Sequence, residues 1–539
     1  GKTYSPQTDP ETGKAAETIT VPLSLSGTLD SETFTLRADA DGVHSAREYT
    51  FTFLKGDPVA TTITVTDTKG APLSGALAAV YDDRSHTRVW PEKDGKFYLV
   101  DGITYTCVAT CPGYVGQEIP FTAGDSQKQQ TIRLTAAEAS VHGEGVSSDW
   151  PYFRKNEDNN GVVNVETPWL REETVLSWAN KLGDGFGASA LSSPILITQD
   201  GVDYLIVYSS TTLFKVEAVT GAVVATGAMS AASDYAITSA TFGDGMLFVG
   251  LENGTVQAFD ADTLTSLWIY RAPLAGQPNS PLTYADHCVY TGFWNDETED
   301  ANFVCLTTTD EDPDRSDETK LARWAYTAKG GFYWAGAYVD PNGRFLLVGT
   351  DDGDAFCVSS TSALLCLDPA TGKTLDKLEN LKGDIRCSIT RADDCFYFVS
   401  KGGCFYSVAM NADGTAFDRE SLWKVDLQNG GSSDATPAMS TSTPVIRNGR
   451  AYVGVSGTSQ FGAYSGHNIT VIDLPSRKIA YSVPTMGYPQ TSGLLTTAYG
   501  TKTYVYFFDN LTPGKLRVLE DSPNQPVPTL LTKETYQNQ

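Results

Sequence analysis

A chain of 539 residues with 65 acidic against 39 basic side chains carries a formal charge of -26, a field that repels phosphate backbones and anionic lipid heads. Nucleic acid and membrane surfaces are therefore excluded as expected partners. No run of about 18 apolar residues occurs, so no membrane span is expected, and the length implies two to four domains unless a propeller takes roughly 300 to 400 residues as one unit.

The opening GKTYSPQTDPETG lacks a charged-then-apolar leader and reads as a polar lead-in or a cut edge. Any signal peptide or surface anchor is expected outside this sequence. Helical periodicity is almost absent, whereas alternating segments such as ETFTLRAD, EYTFTFLK and TTITVTDT recur between Gly, Asp, Asn and Pro, so the chain reads as all-β. Residues 1–56 are expected to form a partial or small β-sandwich.

Residues 57–136 form a cleaner unit. ITVTDTKGAPLSGALAAVYDD is a strand, a Gly-Pro turn and a second strand, and a hairpin follows whose tight turn falls at Asp94-Gly95. Through Gly70, Pro72, Gly75, Ala76 and YTCVATCPGY with its Gly113-Tyr114, this unit resembles the carboxypeptidase-regulatory or prealbumin-like modules of bacterial surface proteins. The resemblance implies a β-sandwich acting as a spacer. The small and charged residues of TAAEASVHGEGVSSD make residues 137–149 a linker, and a new domain opens at Trp150.

From residue 189 onward a repeat appears with a period of roughly 40 to 56 residues. LSSPILITQDG, ITSATFGDG, PNSPLTYAD, WAGAYVDPNG, IRCSITRADD, TSTPVIRNG and QTSGLLTTAYG align, with Ser193, Ser239, Ser280, Gly336, Cys387, Thr443 and Ser492 at one shared position. In a propeller the innermost strands crowd around an axis, which makes small side chains there a packing necessity. A second apolar strand, a third strand and a polar turn follow each segment, giving four strands per blade. The expectation for residues 150–539 is a seven- or eight-bladed β-propeller behind small β-sandwich modules.

At the turns, Asp260 with Trp268, Asp368 with Thr371-Gly372, Asp473, Thr220-Gly221, and Trp178, Trp324 and Trp423 resemble the quinoprotein alcohol dehydrogenase-like (PQQ-like) repeat. The opening WPYFRKNEDNNG followed by VLSWANKLGDG is similar to the start of that family, which includes non-enzymatic outer-membrane assembly lipoproteins. The resemblance implies an extracytoplasmic, secreted or cell-surface protein of bacterial type. The segment around Trp178 is expected to be an outer strand closing the ring, unless QPVPTLLTKE is itself the outer strand of the seventh blade and Trp178 belongs to an eighth.

The family's dehydrogenases combine a calcium held by Glu, Asn and Asp, an Asp base, a Trp floor under the quinone and often a disulfide between adjacent cysteines. This sequence has no adjacent cysteines, and the other groups fall on no matching motif. Neither PQQ nor another cofactor is expected. The nine cysteines form no CxxC, against a zinc ribbon or a disulfide framework. Cys288, Cys305, Cys357, Cys366, Cys395 and Cys404 lie in apolar stretches and read as buried free thiols. Cys107 and Cys111 can pair only if the chain turns sharply at TCPGY.

His44, His86, His142, His287 and His467 are scattered, and no GxSxG or HExxH occurs; no catalytic residue is assigned. His287 is expected at a core or edge position and His467 in a loop. NDETEDAN (295–302), DEDPDRSDE (310–318) and DDGD (351–354) carry calcium-type oxygen ligands without EF-loop spacing. They read as solvated insertions, with a structural calcium as the alternative.

The most suggestive feature is GGFYWAGAY, which places Phe332, Tyr333 and Trp334 just before an inner strand, at one mouth of the channel. Tyr235 and Tyr488 hold equivalent positions, with Gln490, Arg386, Phe293 and Trp294 nearby. Such aromatics can stack on a sugar or grip a peptide, or cap the channel by packing on one another. Tyr235, Trp294, Phe332, Tyr333, Trp334, Arg386, Tyr488 and Gln490 are the ligand-binding candidates. The expected function is a non-catalytic binding or scaffold module for a protein, peptide or carbohydrate. The alternatives are a quinoprotein-like oxidoreductase with an unrecognised site and a purely structural surface repeat.

Overall fold

The computed structural model describes residues 31–534 apart from 39–46, 55–57, 85–86, 90, 93, 112, 125–127, 137–140, 170–174, 184–188, 234–237, 356–360, 428–437, 458–466, 511–513 and 523–528. All its regular elements are strands, from Ser31–Ala38 to Thr529–Glu534. No helix among the described residues is long and apolar enough to cross a membrane, which says nothing about strands.

Ser31–Ala38 and Arg47–Leu54 pair antiparallel as a two-stranded sheet. The following module has two sheets. One orders Phe97–Val100, Pro58–Asp67 and Gln129–Leu134; the other orders Thr87–Val89, Leu77–Asp82, Thr104–Cys111 and Tyr114–Thr122. Val59, Val80, Phe97, Leu99, Tyr105, Phe121 and Ile132 are among its buried side chains. The turn at Asp94-Gly95 forms, with Gly95 at φ +76 and the Asp94 carboxylate accepting the Lys96 N–H. It does not close the expected hairpin, because the strands on its two sides join different sheets. Cys107 and Cys111 lie on one extended strand and are free thiols, as are the other six described cysteines; Cys357 lies outside the described residues.

The repeat region builds seven successive sheets, each with four strands in chain order and antiparallel neighbours. The first holds Ile195–Gln199, Val202–Ser209, Thr212–Glu217 and Val223–Ala228; the last holds Leu494–Thr496, Thr503–Asp509, Lys515–Asp521 and Thr529–Glu534. Thr529–Glu534, from the segment QPVPTLLTKE, thus supplies the outer strand of the seventh sheet. Apolar clusters bridge successive sheets: Phe259 with Ile206, Trp268 with Val289, Trp324 with Leu365, Cys387 with Val453, and Val471 with Val505. Strands flanked on both faces lose their alternation, so Met246–Leu251 and Ser362–Leu367 are buried throughout. The arrangement is propeller-like.

The small residues face one another from sheet to sheet. Ser193 bridges Ser239, Thr241 Oγ1 donates to Leu282 O, Thr283 Oγ1 donates to Ala337 O, and the Ser388 N–H donates to Thr443 Oγ1, whose own N–H donates to Ser492 Oγ. Gly336 lies against Ser388 so closely that a Cβ would sit 2.8 Å from the serine Cβ. Three tryptophans dock the second, third and fifth sheets on the sheet that follows. Trp268 Nε1 donates to Thr308 O, Trp324 Nε1 to Pro369 O, and Arg477 covers the ring of Trp423. Trp178, expected in an outer strand, is in no sheet, yet its Nε1 donates to Ala218 O and its ring covers Gly221 as Trp324 covers Gly372.

Residues 141–163, read as linker and domain start, are built into the inner edges instead. Val146–Trp150 adds a fifth strand to the first sheet and Val162–Val163 a parallel fifth strand to the seventh. Between them, Pro151 O accepts the Phe242 N–H, Asn159 Nδ2 donates to Ala337 O and Ile389 O, and the Asn160 amide exchanges two bonds with Ile446. These contacts fall after the small residue of the second, fourth, fifth and sixth inner strands and form a floor at that end.

Candidate functional site

The opposite end, where inner strands begin and second strands finish, gathers the sequence candidates. Glu297 follows Cys288–Gly292, Asp351 follows Leu346–Gly349, and Asp384 and Arg386 precede Thr390–Ala392. These residues come from three successive sheets and converge on one guanidinium. Arg386 Nη2 contacts Asp351 at 2.7 Å, Asp384 at 3.0 Å and Glu297, while Nε adds a second bond to Asp351; Lys401 Nζ approaches Asp384 at 3.6 Å. Asp351, Asp384, Arg386 and Lys401 are buried and Glu297 is half-buried.

Burial alone would pull the Arg386 pKa down, but Asp351, Asp384 and Glu297 hold it well above its ordinary value. A buried charge survives only when paired, and here the pairing is mutual. The ends of the acidic runs are thus not solvated insertions: Asp351 and Glu297 serve this cluster, and Asp310, Glu311 and Glu318 are buried elsewhere. Oxygens of Glu297, Asp351 and Asp384 lie within 4.8 Å of one another, close enough to hold a metal ion. The Arg386 guanidinium already sits among them.

Aromatic rings roof the cluster. Arg386 lies 4.7 Å from the Tyr333 ring centre and 5.9 Å from that of Trp294. Tyr333 stacks on Trp334 at 4.5 Å and tilts against Trp294 at 4.8 Å. All three residues are half-buried, with the indole nitrogens of Trp294 and Trp334 out of solvent, and Trp334 has φ +56, a left-handed backbone that a bulky side chain rarely adopts. Trp294 is set by a short backbone bridge to Gln277.

The remaining candidates separate. Phe332 is fully buried and packs on Phe303. Tyr488 is also fully buried, its hydroxyl accepting the Thr441 N–H. Gln490 is half-exposed and accepts a bond from Asn510, and Tyr235 lies outside the described residues. His287 is exposed in a turn, with Nδ1 2.9 Å from Asp244. Reasoning from sequence missed Asp384, Lys401 and the role of Glu297. An acidic residue two before Arg386, in GDIRC, was the available signal.

No protein-family model matches the chain, and no curated protein matches it in sequence. Among solved structures, quinohemoprotein alcohol dehydrogenase from Comamonas testosteroni matches with a TM-score of 0.51 at 13% identity, over 74% of this chain and 75% of that one. Quinohemoprotein alcohol dehydrogenase ADHIIG from Pseudomonas putida HK5 scores 0.48 at 11% identity, over 69% and 72%, and BamB from Moraxella catarrhalis scores 0.35 at 16%, over 57% and 79%. The first of these establishes a distant, partial structural likeness to quinoprotein alcohol dehydrogenase-like propellers. At that identity it is a likeness of fold.

The residues present do not fit a carboxylated quinone. Its own carboxylates would face Glu297, Asp351 and Asp384, whose cationic partners Arg386 and Lys401 are already engaged. Trp294 packs against Tyr333 instead of lying open as a floor.

Proposed function

We propose that this chain is a secreted or surface-attached, non-catalytic seven-bladed propeller that binds a protein, peptide or carbohydrate on the Trp294, Tyr333 and Trp334 platform, with the small β-modules as spacers. The observation that carries the reading is the roof itself: three half-buried rings packed on one another over a paired charge cluster, one of them in left-handed backbone. Such backbone costs of order 1–3 kcal/mol and persists where the surroundings over-determine it, often at ligand clamps. The acidic composition supports a surface binding role.

Trp334→Ala and Tyr333→Ala, each shown to melt like the parent, test it on glycan and peptide arrays. A stacking ring contributes about 1–3 kcal/mol at a binding hot spot, so retained ligands are expected to weaken roughly fivefold or more. Unchanged binding profiles would dismiss the platform. Arg386 and Lys401 are proposed as the resident cations of the acidic cluster, so excess calcium or chelator is expected to leave the melting temperature unchanged. A calcium-dependent rise would assign a structural metal, and saturable quinone binding with alcohol turnover would overturn the non-catalytic reading.

A further inference from the structure

Between the sixth and seventh sheets, Val445, Leu495 and Val505 form an apolar layer. Side chains alternate along a strand, so the next residues on the same face are Arg447, two places after Val445, and Thr497, two places after Leu495. There the apolar filling ends and the interface opens into a groove of about 500 Å³. The floor strand Val162–Val163 forms one wall, and the hairpin turns that follow the two inner strands form the others. Small-molecule sites typically enclose about 300–1,000 Å³.

The lining reverses the sign of the molecule. In a chain of formal charge -26, the groove presents Arg447 and Lys502, the amides of Asn164 and Asn448 and the hydroxyls of Thr497 and Thr503, and no carboxylate. Lys502 is answered from outside the groove by Glu520 at 3.0 Å. Arg447 makes no ion pair among the described residues. It stands in register with Arg450, whose charge Asp521 takes, and like charges directly opposite on neighbouring strands repel. Arg447 is thus the cation at this groove whose charge the protein leaves open. Beside it, Thr497 Oγ1 donates to Asn164 Oδ1 at 3.2 Å, which leaves the Asn164 amide N–H groups as donors.

We propose that this groove binds an acidic sugar, a uronate whose carboxylate takes the Arg447 guanidinium and whose ring hydroxyls exchange hydrogen bonds with the amides and threonines around it. The planar fork of arginine matches a carboxylate with two parallel bonds. A neutral sugar is held chiefly by stacking on a ring, and a peptide by recesses for apolar side chains; the only apolar lining residues are Val162 and Val163, and none is aromatic. The site lies where the inner strands finish, at the floor end, and is separate from the Trp294, Tyr333 and Trp334 platform.

The test is calorimetric titration of the full chain with digalacturonate and with its neutral counterpart, digalactose. Saturable binding of digalacturonate is expected, with digalactose weaker by roughly tenfold or more, the loss of a charge-assisted contact. Arg447 is exposed, so Arg447→Gln is expected to melt like the parent and to weaken digalacturonate by the same factor, while Trp334→Ala leaves it unchanged. No saturable binding, equal binding of the two sugars, or full affinity in Arg447→Gln overturns the proposal. Loss of binding in Trp334→Ala overturns it by moving the sugar to the aromatic platform, and a glutamate dipeptide that binds as tightly as digalacturonate overturns it in favour of an acidic peptide. Should Arg447→Gln fail to fold, crystals of the parent soaked in digalacturonate decide: sugar density on the Arg447 guanidinium supports the site, and its absence there overturns it.

Discussion

Gly336 shows what a single atom costs where inner strands meet. An added Cβ would fall 2.8 Å from the Cβ of Ser388 and 3.2 Å from its Cα, so a rotamer change of the serine cannot relieve it. Overpacking of this kind costs about 1–3 kcal/mol. Gly336→Ala is therefore expected to lower stability by that amount in denaturant titration, and adding Ser388→Gly is expected to recover most of the loss. A fully additive double mutant would separate the two sites. The same crowding is why the shared position was legible in the sequence: Ser193, Ser239, Ser280, Thr443 and Ser492 are small because neighbours share that space. Phe332 and Tyr488 were misjudged as surface candidates for the converse reason. An aromatic beside a mouth residue looks the same in sequence whether it stacks in a half-buried roof, as Trp334 does on Tyr333, or turns into the core beside Phe303, as Phe332 does.

At the scale of elements, the segment from His142 to Val163 was illegible because its role rests on polar side chains reaching backbone groups far along the chain, with no apolar rhythm to betray it. His142 fastens its start. Nδ1 lies 3.4 Å from Asp260 and Nε2 3.1 Å from Asp310, and the Gly143 N–H also donates to Asp260. Asp260 and Asp310 raise the imidazole pKa to about 9 against the opposing pull of burial. In the adjoining buried cluster, burial and then Glu311 raise Glu318 to about 9, while Lys320 pairs with Glu311 at 2.5 Å. A folded pKa above the unfolded value of about 6.5 means that the histidine's contribution is complete below pH 6.5 and is lost as pH rises through about 9. Glu318, protonated when folded, acts in the same direction, because unfolding lets it ionise. The melting temperature is expected to fall between pH 6.5 and 9.5, and His142→Gln is expected to flatten that limb while lowering the melting temperature at pH 6.5. An equal slope in parent and variant would remove the latch from the account.

Across the whole molecule, the sheets are held by what lies between them, since each buries both faces only by stacking on its neighbours. That logic was legible: four-strand spacing, the Asp turns and the outer tryptophans all announce a stack. How its ends are managed was not, because one continuous segment supplies inner-edge strands to both the first and the seventh sheet, and Trp178 docks on Gly221 without belonging to a strand. An arrangement held by several separate apolar clusters, one of them spanning the fourth to sixth sheets, could melt in parts, as repeat arrays can, or as one unit if the floor segment couples distant sheets. Trp268 separates the two. It is fully buried, packs on Phe248, and lies in the cluster shared with Val289 of the third sheet, so Trp268→Ala should cost about 3–5 kcal/mol. Because Pro151, Asn159, Asn160 and Val162 tie sheets two, four, five, six and seven to one strand of chain, the whole repeat region is expected to shift to a lower melting temperature in a single transition. A new early transition in calorimetry, with the main one left in place, would mean that the second and third sheets unfold on their own and that the floor does not couple them.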